Sequence, residues 1–272
     1  MRKLSSTPFC GNDEYVFMAR TKGDMEHSDC SVKMIENLIK KESLNEIDLK
    51  IMDLLFEYRI LNAFLIQKIL KKNAYTAKEN YLKNLNKLRE YGIILYYERE
   101  DRQAAYILSD GAKVYEYLKN GEKRKHLTTF KEKLDGKTVN KTIVSNAMFI
   151  NIDMYGRGIK KYAVKFDYFR FFTLKCKEKL NFLIIPMRRG DQYINTLLEG
   201  ISKANGLFFA RDYFVVALCE DVRQFDEVND ELKKSFLPES NILYTTDRMA
   251  LLNGAMGMYI RNEQGYASID FV

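Results

Sequence analysis

Proline and cysteine are scarce in this chain, and histidine is scarcer still. Three prolines among 272 residues, with no low-complexity tract, argue against long disordered regions. The four cysteines, at positions 10, 30, 176 and 219, include no Cys-x-x-Cys pair, and no recognisable zinc spacing exists. His27 lies close to Cys30 and could ligate metal with Cys10, but neither it nor His126 supplies a zinc spacing. So few cysteines also argue against a disulfide framework and fit a reduced compartment. No apolar segment of a secretory signal stands at the start, and no run approaches the roughly 18 apolar residues that a membrane span needs. The expectation is a cytoplasmic protein with no membrane partner.

Signatures of catalysis are missing too. There is no Gly-x-x-x-x-Gly-Lys-Ser/Thr loop for nucleotide phosphates, no Gly-x-Gly-x-x-Gly fingerprint and no Gly-x-Ser-x-Gly elbow. Arg157 between Gly156 and Gly158 reads as a turn, and Arg189-Gly190-Asp191 as a chance tripeptide. No catalytic residue, metal site or cofactor is expected.

What is present is ordinary globular composition, 46% hydrophobic and 30% charged, long enough for two domains. The formal net charge of +7 suits a polyanionic partner. It is spread unevenly. Lysine and arginine dominate from Ala112 to Arg189, with clusters at Lys123-Arg124-Lys125, Lys160-Lys161 and Arg188-Arg189. After Gly190 acids take over, among them Asp212, Glu220, Asp221, Asp226, Glu227, Asp230 and Glu231.

The stretch from Asn45 to Asn120 carries the clearest pattern. Ile47, Ile51, Leu54, Leu55 and Tyr58 make one apolar helical stripe, with Asn45 as cap and Glu46 and Asp48 at the positive end of the dipole. Asn62 opens a second helix with Leu65, Ile66, Ile69 and Leu70. A third helix spans about Thr76 to Tyr91, with Ala77, Tyr81, Leu85 and Leu88 inward, and Gly92 stops it in a left-handed conformation. Two β-rich runs, Ile93–Glu98 and Ala104–Leu108, flank the polar turn Arg99 to Gln103 as a two-stranded wing. A closing helix would carry Ala112, Val114, Tyr115 and Leu118. Helix, helix, helix, wing, helix is the order of a winged helix-turn-helix, whose third helix enters the major groove of double-stranded DNA. The candidate contacts are Tyr75, Thr76 and Lys78 at the start of that helix, Lys83 and Lys87 on its exposed flank, and Arg99 and Arg102 at the wing tip. The nearby acids Glu79, Glu90, Glu98, Glu100 and Asp101 dilute the positive charge.

The remainder falls into three parts. Residues 1–44 form a polar arm with a short helix near Lys33–Lys41, either a lead-in or a dimerisation element. Residues 121–141 read as a basic linker. From 142 to 272, a helix through Ile143–Ile150 precedes a β-rich run over Tyr162–Leu174 and a strand over Phe182–Met187. A helix from Tyr193, a strand at Tyr213–Cys219 and a helix from Phe225 follow, then strands at Ile242–Thr245 and Met256–Ile260. Strands alternating with helices give a compact α/β domain with a mixed sheet, so the whole chain is α+β / α/β.

The run Leu85-x-x-Leu88-x-x-x-Gly92-x-Ile94, the wing ending Tyr106-x-Leu108-x-x-Gly111 and the strand end Tyr244-Thr245-Thr246 together resemble the replication-relaxation family of bacterial plasmids and conjugative elements, over about residues 45 to 260. The resemblance implies an α/β domain related to the restriction-endonuclease-like fold, whose metal site needs an acid on one strand and Glu-x-Lys on the next. Glu231-Leu232-Lys233 has that spacing but sits on a helix, and Asp167 lacks a partner, so the domain reads as catalytically silent. The function expected is sequence-specific double-stranded DNA binding, as a relaxosome or replication accessory, or as a regulator. A homodimer and a relaxase or other mobile-element protein are the candidate protein partners. A ligand-sensing winged-helix transcription factor is the alternative, and a metal-dependent nuclease the outsider.

Overall fold

The structure, a computed structural model, describes residues 16–17, 32–73, 81–99, 104–109, 134–155, 168–175, 179–205, 213–235, 237–253 and 257–269. Its contacts fall into two compact units, one spanning Glu14–Val139 and one built on Asn140–Val272. The class is mixed α+β, with a small antiparallel sheet and a six-stranded mixed sheet.

In the first unit, β1 (Val16–Phe17) and α1 (Val32–Lys40) precede α2 (Glu46–Tyr58). Next come β2 (Ile60–Asn62), α3 (Ala63–Lys72), α4 (Tyr81–Glu90), β3 (Ile94–Glu98) and β4 (Ala104–Leu108). The helix ends form where the sequence places them. Asn45 Oδ1 accepts from the Asp48 amide at 2.9 Å, and the Asn45 amide donates to Asp48 Oδ2 at 2.7 Å, both halves of a capping box. Asn62 Oδ1 accepts from the Leu65 amide at 2.9 Å to start α3. Beyond α4, Gly92 takes φ 71°; its amide donates to Arg89 O at 3.0 Å and that of Ile93 to Leu88 O at 2.9 Å. That paired closure needs a left-handed residue, which glycine adopts without steric cost.

The sheet of this unit runs β1-β3-β4-β2, every pair antiparallel. The expected two-stranded wing is therefore the centre of a larger sheet. β2 pairs Ile60 with Ile107 and Asn62 with Ala105, and β1 pairs Val16 with Glu98. β2 is hidden from sequence reading because its three residues are all buried and too few to show alternation. Ile51, Met52 and Leu55 of α2, Leu65 and Ile66 of α3, and Leu85 and Leu88 of α4 close over the sheet as a buried core.

The helix α5 (Gly136–Tyr155) begins inside the segment expected as a linker, with Asp135 Oδ1 capping the Thr138 amide at 2.9 Å. It leads into the second unit: β5 (Arg170–Lys175), β6 (Lys179–Pro186), α6 (Tyr193–Asn205), β7 (Tyr213–Cys219), α7 (Gln224–Leu232), β8 (Ile242–Thr246), α8 (Asp247–Asn253), β9 (Met258–Asn262) and β10 (Gly265–Ile269). The sheet order is β10-β9-β8-β7-β6-β5. Only the β6-β7-β8 centre is parallel; the other pairs are antiparallel. The mixed sheet was expected; α8 and β10 were not. The last strand lies at Met258–Asn262 rather than Met256–Ile260, and it turns back into β10.

Alternation along the strands sorts the core. Leu183 and Ile185 of β6 and Val215 and Ala217 of β7 face Leu197 and Ile201 of α6 and Phe225 and Val228 of α7. The approach of α6 is close, since a Cβ on Gly200 would lie 2.9 Å from Ile185 Cδ1. Phe149 of α5 meets Phe172 of β5 edge-on at 6.3 Å, and Asn151 Nδ2 donates to Ala250 O of α8 at 2.6 Å.

Candidate nucleic-acid interface

The face that α4 buries is fixed by a polar clamp as well as by Leu85 and Leu88. Asp48 is fully buried at the start of α2. Its Oδ1 accepts from Asn84 Nδ2 at 2.8 Å, and Asn84 Nδ2 also reaches Asn45 Oδ1 at 3.0 Å. Lys87 forms an ion pair with Asp48 and donates to Ser43 O at 3.2 Å. A buried carboxylate needs such partners, because its desolvation is otherwise uncompensated. One carboxylate thus serves the cap of α2 and the seat of α4 together.

Two residues expected at exposed positions are placed otherwise. Lys87 is drawn inward by Asp48 instead of standing free on an outer flank. Arg99, expected at an exposed tip, is buried at 2% exposure, just past the end of β3. Arg89 is also engaged, its guanidinium carbon 4.7 Å from the centroid of the Tyr96 ring. Of the three cations on α4, Lys83 stays exposed, with no such tie among the described residues. Tyr75, Thr76, Lys78 and Arg102, and the expected closing helix, lie outside the described residues.

The exposed residues of α4 are Leu82, Lys83, Asn86 and Glu90. Asn86 is not among the contacts expected from sequence, although its spacing from the buried Leu85 and Leu88 places it on the outer face. Lys71 and Lys72 stand exposed at the end of α3. Lys68, half-buried on the same helix, has its ammonium pKa lowered by burial. Tyr97 Oη accepts from the Leu134 amide at 3.1 Å, tying the strand β3 to the chain just before α5.

In the second unit charge collects at the carboxyl ends of β6, β7 and β8, the edge where open α/β sheets take ligands. Arg188 is buried there with Nη2 on Asp247 Oδ1 at 2.9 Å. Its Nε has no hydrogen-bond partner among the described residues. Glu220 Oε1 accepts from the Arg189 amide at 2.8 Å, and Arg189 Nη2 reaches Asp221 Oδ2 at 2.9 Å. Lys141 pairs with Asp191 at 2.8 Å. These charges are largely spent on one another. Burial pushes the Cys219 thiol far up, which makes it a packing residue rather than a nucleophile.

The Glu-x-Lys spacing does not converge on a site. Glu231 Oε2 accepts from the Ile194 amide at 3.4 Å, while Lys233 Nζ lies 3.8 Å from both Asp230 and Glu239. Among the described residues no group of three or more His, Cys, Asp or Glu side chains is placed to hold a metal ion. Nor is any of their helices long and apolar enough to cross a membrane. Asp167 lies outside the described residues. No protein-family model, curated protein or solved structure matches the chain.

Proposed function

We propose that the Glu14–Val139 unit is a winged helix-turn-helix that binds double-stranded DNA, with α4 as the helix that enters the major groove. The observation that carries this reading is the strand β2, which joins α2 to α3 and pairs with β4 of the β3–β4 hairpin that follows α4. That pairing joins α2 and α3 to the hairpin, while α4 packs on α2 and on β3. A helix packed on α2 by one side and bare on the other is the arrangement that groove entry needs. Basic residues outside the core, Lys71, Lys72 and Lys83, add the charge complementarity.

The biological role proposed is that of a regulator, or of a relaxosome or replication accessory, of a mobile element; it rests on the resemblance of the Leu85-to-Gly92 and Tyr106-to-Gly111 patterns. The second unit serves in this reading as a dimerisation module. Its edge strand β10 is paired on one side by β9 and carries no charge and no proline, the devices that usually keep an edge from pairing. The runner-up, a small-ligand sensor, draws on the buried Nε of Arg188 at the carboxyl edge of the sheet.

The test is duplex selection by the full chain, followed by titration of the selected duplex across a salt series. Binding should weaken steeply with salt, and Lys83→Ala should flatten the slope of log affinity against log salt by about one. Equal affinity for selected and scrambled duplexes, with no salt dependence, would overturn the reading.

A further inference from the structure

The outer face of α4 is short of cations for a surface that only tracks phosphates. Lys87 is committed to Asp48 and Arg89 to the Tyr96 ring, so Lys83 is its single exposed cation. What the face does present is Asn86 and, one turn before it, Leu82, which is 46% exposed. Residues four apart on a helix are surface neighbours, as are Lys83 and Asn86 three apart. Glu90, the next exposed residue along the face, would be repelled by phosphate and marks where it leaves the groove.

An exposed leucine beside an exposed asparagine has little to do in a purely electrostatic contact. In the major groove both have a specific complement. The carboxamide offers one donor and one acceptor, matching adenine N7 and N6, and aliphatic carbon packs on the C5-methyl of thymine. Resting on the DNA-reading assignment above, we propose that Asn86 and Leu82 are base-reading residues for A·T pairs, with Asn86 hydrogen-bonding adenine and Leu82 meeting a thymine methyl, while Lys83 holds the flanking phosphate. Lys71 and Lys72, exposed at the end of α3, supply positive charge on the helix that precedes the reader.

The experiment uses the full chain and a randomised duplex library, then single-atom changes in the selected duplex. Wild type should select a motif containing A·T pairs. Replacing one adenine by 7-deazaadenine, which removes N7, should weaken wild type by about tenfold or more and leave Asn86→Ala unaffected. Replacing one thymine by uracil, which removes the methyl, should weaken wild type and leave Leu82→Ala unaffected. The salt slope of Asn86→Ala should equal that of wild type, and both variants should melt as wild type does, since both side chains are exposed. If wild type selects a motif but is insensitive to 7-deazaadenine and uracil at every position, the base-reading assignment is overturned while DNA binding stands. It is overturned equally if Asn86→Ala keeps the full 7-deazaadenine penalty. If wild type selects no duplex, the DNA reading itself fails and this assignment falls with it.

Discussion

Arg188 and Asp247 show what a buried charge demands of its neighbours. Both side chains are almost wholly removed from water, and their mutual contact at 2.9 Å spans the ends of two strands of the sheet. Such a pair adds little net stability over an apolar pair of the same volume, but removing one partner leaves a desolvated charge behind. Arg188→Ala is expected to cost about 3–5 kcal/mol in urea unfolding. The double variant Arg188→Met/Asp247→Leu should recover most of that loss. A single variant as stable as wild type would mean that water reaches the pair. In the sequence, Arg188-Arg189 is legible only as a basic cluster. Which arginine is spent inside and which stays half-exposed depends on where Asp247 and Asp221 arrive, some tens of residues later.

At the scale of the element, α4 presents two unlike faces. Its inner face is held by Asn84, Leu85, Leu88 and the Lys87–Asp48 pair; its outer face presents Leu82, Lys83 and Asn86. Lysines four residues apart should therefore behave differently on mutation. Lys87→Ala is expected to lower stability by about 1–3 kcal/mol, because the Asp48 carboxylate loses its counter-charge while buried. Its effect on DNA affinity should follow from lost folding and leave the salt slope near wild type. Lys83→Ala should leave the melting temperature unchanged and flatten that slope. Calorimetry and salt titration on the same two proteins separate the outcomes; the reverse pattern would place Lys87 on the DNA and undo the clamp. Helical spacing makes the inner stripe of α4 visible in advance. It cannot distinguish Lys83 from Lys87, since the ion pair depends on a carboxylate from another helix.

At the scale of the whole molecule, each unit closes its own core, so each is expected to fold alone. The fragment Glu14–Val139 should melt cooperatively, and should be more stable than one that stops at Asn120, which loses the bond from the Leu134 amide to Tyr97 Oη. If the second unit dimerises the chain, the fragment should be monomeric in light scattering while the full chain is a dimer. Its affinity for a two-half-site duplex should then fall by roughly 10² or more, the loss of effective concentration between linked readers. Equal mass and equal affinity for fragment and full chain would remove the dimer. The second unit would then need another role, with the buried Arg188 edge the first place to look for a ligand.

The sequence by itself determined the local structure of this protein: the caps at Asn45 and Asn62, the glycine stop at Gly92, the β3 and β4 runs, and, α8 and β10 apart, the order of helices and strands beyond residue 142. These are short-range effects, set by residues three to five positions apart, and the chain states them wherever it is read. Tertiary structure decided what depends on distant segments meeting. It made β2 a strand because β4 lies beside it, and it buried Arg99 at the end of β3. It turned Lys87 from a surface charge into a counter-ion for the buried Asp48, and so left Lys83 and Asn86 to face outward. An ion pair between two helices answers to whichever opposite charge folding brings within reach, which is why the outer face of α4 is defined only once α2 and α4 are packed together.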